Sequence, residues 1–201
     1  TGQGGTDGFA SIINTAGGLA RSTYLGTSAY DHAFKIQIDP SDNIFVMGQT
    51  AGAYPVSPTA YSVANGDIFI AKLNPTLSTQ LLSTRMGNPA TTFGATFVPT
   101  AFMHDVCGNT YLSGFNANST SPLSANAYQT SPGSFWLGAL GPDFTSLLYA
   151  TFYGPLGTHV DGGTSRFDPQ GIIYHSACTS NSAFPTSPGV VFPTKLNIGW
   201  D

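Results

Sequence analysis

The chain has 201 residues, 41% of them hydrophobic, which is enough for one large or two small domains with a buried core and too apolar for a disordered polymer. Charged side chains make up only 8%, against a usual ~25%, while 24 glycines and 14 prolines mark many turns. The formal net charge of −4 lacks the Lys/Arg excess that holds phosphate backbones or anionic lipid, so nucleic-acid and membrane-surface roles are excluded.

Thr1 to Gly5 are polar and Gly-rich, without an initiator Met, a basic region or an apolar leader, so the chain reads as a processed product or a fragment. No apolar run approaches the ~20 residues that cross a bilayer, and a soluble protein without membrane insertion is expected. Asp7 opens the first strand-like run, Asp7-Gly-Phe9-Ala-Ser-Ile-Ile13, and the next segment ends in Thr-x-x-Gly at Thr23 to Gly26. Asp39 then precedes a turn and the apolar strand Ile44 to Met47, and Pro55 stands six residues before Tyr61.

The same landmarks return twice. Asp67-Ile-Phe69-Ile-Ala-Lys-Leu73 and Ser134-Phe-Trp136-Leu-Gly-Ala-Leu140 repeat the opening run, each with an aromatic in third place. Thr84 to Gly87 and Thr151 to Gly154 repeat the Thr-x-x-Gly ending. Asp105 and Asp168 precede the strands Thr110 to Ser113 and Ile172 to His175, while Pro122 and Pro185 precede Tyr128 and Val191. Four landmarks in one order define repeats of roughly 65 residues, at 7–66, 67–133 and 134–200. Gly199-Trp200-Asp201 restores the phase of Gly5-Thr6-Asp7, so a fourth repeat begins at 201 and the single repeat domain of 1–201 reads as part of a larger assembly.

Segments near 67–73, 80–86, 94–103 and 110–115 are short, rich in β-branched or aromatic residues, and bounded by Pro, Gly, Asn or Asp, which predicts four antiparallel strands per repeat. No window sustains helical periodicity, so helix is confined to a turn or two. A lone four-stranded meander cannot bury both faces, so copies must stack; radial stacking gives β-propeller blades and linear stacking a solenoid. The all-β expectation is therefore tandem four-stranded repeats stacked as blades of a partial β-propeller. Ala71 and Gly138 are read as inner-strand positions near the axis, where backbones approach closely. The long loops Thr50 to Asn65, Asn116 to Pro132 and Ser180 to Ile198 are expected to pack between blades or to contact a partner.

Chemistry-bearing residues give weak signals. His32, His104, His159 and His175 occupy no shared repeat position; His104-Asp105 and His159-Val-Asp161 are adjacent pairs, whereas a base and its orienter normally converge from separate elements. No GxSxG elbow is present, and no catalytic or cofactor-binding residue is assigned. Asp39, Asp42 and Asn43 could supply oxygens to a cation, but Asx-type hairpin turns account equally for Asp39, Asp105 and Asp168, and no metal ligand is assigned. Cys107 and Cys178 lack zinc spacing and are read as buried free thiols, with one disulfide as the alternative. Tyr61, Tyr128, Trp136 and Trp200 suit a repeated core; Tyr54 and Phe184, each before a loop Pro, suit a surface site. Asn118-Ser-Thr120 matches a glycosylation acceptor.

The strings Tyr24-Leu-Gly26, Ile38-Asp-Pro-Ser-Asp-Asn-Ile-Phe-Val46, Gly48-Gln-Thr50, Tyr54-Pro55, Ala60-Tyr61 and Asp67 to Asn74 resemble the SBBP-type β-propeller repeat of bacterial extracellular proteins. Ser22 to Gly26, Gly48 to Pro55, Asp105 to Asn109 and His159 to Asp168 look like Bacteroidota secreted proteins associated with gliding motility and type IX secretion. Ser134 departs from the family's Asp, Ala139 from the Lys that stands at Lys72, and Ser176 from the strand Gly. The resemblance implies a cell-surface or released modular protein and brings no catalytic residues or cofactors. The expected function is a non-catalytic structural or adhesion module, with other blades, surface polysaccharide, a protein partner or further copies of itself as partners. A glycan- or peptide-cleaving propeller completed by further blades and a subunit of an extracellular fibre are the alternatives.

Overall fold

Short β-branched and aromatic runs, each cut off by Gly, Pro, Asn or Asp, leave the backbone no route to long helices and favour hairpin ladders. The computed structural model describes residues 5–89, 96–159 and 165–195, with the side chains of Thr158 and His159 excepted. Its strands are β1 (Gly8–Ile13), β2 (Leu19–Leu25), β3 (Asp31–Ile38), β4 (Ile44–Thr50), β5 (Gly66–Leu73), β6 (Gln80–Pro89) and β7 (Val98–His104). There follow β8 (Thr110–Phe115), β9 (Phe135–Leu140), β10 (Leu147–Tyr153), β11 (Thr158–His159), β12 (Ser165–Phe167), β13 (Ile173–His175) and β14 (Cys178–Thr179). Among the described residues the one helical element is a 3₁₀ turn, Pro142–Phe144, and no helix is long and apolar enough to cross a membrane. Asp161, the Gly199-Trp200-Asp201 return of the phase, and the His159 side chain lie outside the described residues.

The fold is all-β and antiparallel. Strands β3-β4-β5-β6 form one meander and β7-β8-β9-β10 a second, while β1-β2, β12-β13 and β11-β14 are two-stranded. The ladders are separate, and no strand ladder joins the two large sheets. Their shared core holds Phe45, Met47, Ile68 and Met86 from the first sheet and Phe102, Leu112, Trp136 and Phe152 from the second. A smaller core joins Ala10 and Leu25 of the β1-β2 hairpin to Val46, Phe69, Ala71 and Leu73 of the first sheet.

Residue register makes the hairpins counterparts of half-sheets. Ile38 pairs with Ile44, His104 with Thr110, and Phe167 with Ile173, so β12-β13 matches β3-β4 and β7-β8. The Asp7 run places β1-β2 in the same relation to β5-β6 and β9-β10. The repeat limits 66/67 and 133/134 thus fall between the second and third strands of the two large sheets. A cyclic sequence repeat has no intrinsic start, and only hydrogen-bond partners show where one sheet ends.

Ala71 and Gly138 sit in the third strands of the two large sheets, β5 and β9, while β3 touches β7 and β7 touches β12. Gly138 has a local cause: a Cβ there would stand 2.1 Å from Cη2 of Trp136 in its own strand.

The crossover between the large sheets is fastened by Asp67 at the start of β5, a fully buried carboxylate. Its Oδ1 accepts the Asn88 N–H at 2.8 Å; its Oδ2 accepts the N–H groups of Thr96 at 2.8 Å and Phe97 at 2.9 Å. Burial pushes the Asp67 carboxyl above the usual carboxylate range, against the pull of these donors. Gly87, at φ +84°, is required beside it, because a Cβ would lie 2.3 Å from Asp67 Oδ1. Asp67→Ala leaves three N–H groups with no acceptor where water is excluded and should destabilise the chain by about 3 kcal/mol. Asp67→Asn, keeping one acceptor oxygen, should fall between it and the wild type. Urea-unfolding midpoints measured on the three proteins give that order.

Candidate functional site

The first strands of three successive units line one concavity. A groove of about 590 Å3 is walled by Phe34 to Gln37 of β3, Thr100 to His104 of β7 and Ser165 to Phe167 of β12, continuing into Asp105, Val106 and Pro169. Phe34, Phe102 and Phe167 give it apolar walls, and Lys35 and Arg166 place positive charge in it. Burial, and next the Arg166 charge, hold the Lys35 ammonium below its ordinary value. The lining thus combines aromatic rings with Lys35, Arg166, His104 and Asp105.

Of the three repeated aspartates, Asp105 lines this groove. Asp39 Oδ1 accepts the N–H groups of Ser41 and Asn43, both at 2.9 Å, and Oδ2 accepts Asn43 Nδ2 at 2.8 Å. Asp105 repeats the pattern with Cys107, Asn109 and the Tyr111 hydroxyl, and Asp168 does so with Gln170, Ile172 and the Tyr174 hydroxyl. These are Asx turns, in which carboxylate oxygens replace backbone acceptors. The donors hold the Asp39 and Asp105 carboxyls below the usual range despite some burial. Among the described residues no three His, Cys, Asp or Glu side chains gather as a metal site.

Among the described residues, His104 and His175 pack against aromatic rings. His104 lies flat on Phe45, ring centres 3.8 Å apart, and Nδ1 bonds the Thr110 hydroxyl at 3.0 Å. His32 is exposed and bonds the Tyr30 hydroxyl. His175 Nδ1 bonds Ser165 Oγ at 2.7 Å, while its ring packs on Phe135 and Tyr153 and its Nε2 is buried without a partner. A serine-histidine contact invites a hydrolytic reading, but Ser165 is only 1% exposed and presents no accessible nucleophile.

Several sequence expectations change in the folded chain. Tyr54 is not a surface residue: it is 4% exposed and stacks on Phe69 at 4.2 Å, because its loop folds back between the β1-β2 hairpin and the first sheet. Phe184 likewise packs edge-on against Tyr153 and is half-buried. Tyr128 and Val191, by contrast, are exposed rather than core residues. Phe69 and Trp136 are buried, and Phe9 in the same repeat position is exposed. Cys107 and Cys178 are free thiols, but Cys107 is exposed on its turn and Cys178 only half-buried. Pro122 earns its place through its carbonyl, which accepts the Trp136 indole N–H at 2.7 Å; Pro55 and Pro185 follow the packed aromatics Tyr54 and Phe184. Gly26 makes room for Asp7, and Gly154, at φ +75°, faces Phe184. Lys35 and Arg166 carried no sequence signal; the apolar alternation Phe34, Ile36, Ile38 does mark a strand, but these side chains are exposed.

In comparisons with known proteins, no family model matches the chain and no curated protein is significantly similar to it.

Burial lowers the His175 pKa from 6.5 to about 4. The opened hairpin takes up a proton below pH 6.5, whereas the packed imidazole resists it. Stability of β12-β13 should therefore be full above pH 6.5 and decline as pH falls toward about 4. Hydrogen exchange at the amides of Tyr174 and His175, corrected for intrinsic rates, should accelerate over that window, and His175→Gln should flatten the dependence.

Proposed function

We propose that the chain is a non-catalytic scaffold and interaction module of a bacterial cell-surface or secreted protein, built as consecutive blades of an SBBP-type β-propeller. The observation that carries this reading is the convergence of β3, β7 and β12 on one groove, with β6 and β10 at the far edges of their sheets. A linear stack has no common centre, and a radial one must have it. The low charge and the resemblance of the Asp39 turn, Tyr54-Pro55 and Asp67 strings to that repeat support an exported setting. Tyr54 and the Pro122 carbonyl of two long loops pack against the sheets, and this reading takes the groove as the partner-facing surface. Its Lys35 and Arg166 suit an acidic surface polysaccharide, and its phenyl rings suit the apolar faces of sugar rings.

Two measurements test the proposal. Negative-stain images of the full-length protein from its native host should show a ring, and an antibody to this chain should label intact cells or the culture medium. Open rods, or labelling only after permeabilisation, would sink the propeller or its location respectively. At the groove, acidic but not neutral polysaccharide should bind, with affinity falling severalfold in Lys35→Gln and at raised salt.

A further inference from the structure

A carboxylate closed off from water needs hydrogen-bond donors for its oxygens or a positive charge beside it. Asp67 has its donors at the crossover from β6 to β7; the crossover from β2 to β3 spends the same donors differently. By register, Asp7 is the counterpart of Asp67, Thr27 of Asn88 and Asp31 of Phe97. The Asn88 N–H goes to Asp67, but the Thr27 N–H goes to Oδ2 of Asp31 at 2.6 Å, and the Thr27 hydroxyl donates to the same oxygen at 2.8 Å. The Phe97 N–H also goes to Asp67, whereas the Asp31 N–H goes to the Thr6 carbonyl at 2.8 Å. A second carboxylate therefore stands where the later crossover has an apolar ring.

Asp31 is fully buried, and its Oδ1 accepts no hydrogen bond. The Asp7 carboxylate lies beside it, with its own Oδ1 out of reach of solvent. The two meet at Gly26, where a Cβ would stand 2.2 Å from Asp7 Oδ1 and 3.2 Å from Asp31 Oδ2. Only the missing side chain of that glycine lets both carboxylates into one space. Among the described residues no Lys, Arg or His forms an ion pair with Asp31. Arg85 interacts with it at longer range, but the Arg85 Nε donates to the Gly66 carbonyl at 2.9 Å.

We propose that Asp31 and Asp7 hold a divalent cation of calcium's class at the crossover from β2 to β3. Both donors are carboxylate oxygens, the hard ligands that Ca2+ selects. Oδ1 of Asp31 is the ligand atom there, since Oδ2 is taken up by Thr27. Asp7 is half-buried, so backbone carbonyls and water complete the oxygen shell from its side. The ion takes the part that N–H groups play at Asp67, and it ties the β1-β2 hairpin to the first strand of the first large sheet. The Asp39 turn offers no such site, because its carboxylate oxygens are already engaged by Ser41 and Asn43. None of the residues Asp7, Gly26, Thr27 and Asp31 lines the groove, so this inference and the proposed function fail independently.

Calorimetric titration of the chelator-treated 201-residue chain with calcium chloride should show a single equivalent bound, and the thermal midpoint should rise with calcium. Asp31→Asn, with circular dichroism matching the wild type, should weaken binding by about tenfold or more, because ligand charge sets affinity in such sites. Asp7→Asn should do the same and carries the comparison if Asp31→Asn does not fold. Asp42→Asn, at an exposed position of the Asp39 turn, should bind calcium as the wild type does. No binding by the wild-type chain at millimolar calcium, the weak end of the range for extracellular sites, overturns the proposal. So does binding that survives both Asp31→Asn and Asp7→Asn, or that is lost in Asp42→Asn, which would place the ion on the turn. A metal-free chain that gains stability as pH falls and ignores calcium would show the two carboxylates sharing a proton, and that result overturns it as well.

Discussion

A carboxylate sealed from water, that of Asp67, sets how one sheet follows another. It gathers N–H groups from Asn88, Thr96 and Phe97, the two ends of the crossover from β6 to β7. A buried acceptor with several donors in fixed directions is costly to disturb, because each donor then stands alone in a low-dielectric site. The next unit shows the same constraint with reversed polarity. Pro155 stands where Asn88 does and has no N–H to give; Ser134 stands where Asp67 does, and its hydroxyl donates to the Pro155 carbonyl at 2.7 Å. Asp with Asn, and Ser with Pro, are two solutions to one fastening problem. A departure from the repeat that looks like decay in sequence is a matched exchange in space.

The connections between second and third strands perform a complementary task at the same end of the sheets. Tyr54 inserts its ring over Phe69, Pro122 offers its carbonyl to Trp136, and Phe184 closes over Tyr153. Gln49, at the end of β4, donates to the Phe97 carbonyl at 2.5 Å and so ties the first sheet to the strand that begins the second. Polar fasteners at the crossovers and aromatic wedges beneath the loops leave the facing sheets free to be purely apolar. That division explains how a chain with so few charges orders its sheets.

The strands and the repeated landmarks were legible because hydrophobic alternation and turn residues act locally. Asp39, Asp105 and Asp168 can be read as turn formers because an Asx turn is complete within five residues. The grouping of strands into sheets was not legible, since the ladder partner of β5 is chosen between equally plausible neighbours by long-range contacts. Tyr54 looked superficial because it precedes a proline in a polar loop, and its burial depends on the distant β2. Ala71 and Gly138 looked axial because small residues permit close approach. Trp136, two residues away along β9, is what actually demands the glycine. Phe9 and Phe69 are equivalent letters whose burial differs only because of what lies beside them.

The last hairpin departs from its equivalents in a way that follows from the same logic. Ile36 faces Val46 across β3-β4, and Phe102 faces Leu112 across β7-β8, both apolar pairs. In β12-β13 the pair is Ser165 and His175, polar on both strands and joined by a hydrogen bond. Neither residue would be tolerated alone: a lone imidazole beside Phe135 and Tyr153 would lose its Nδ1 partner, and a lone serine would leave a void beneath an apolar neighbour. The imidazole still keeps its Nε2 buried without a partner, a cost the apolar pairs do not carry. Protonation of that ring, whose pKa burial lowers to about 4, is therefore the event that most directly loosens this hairpin.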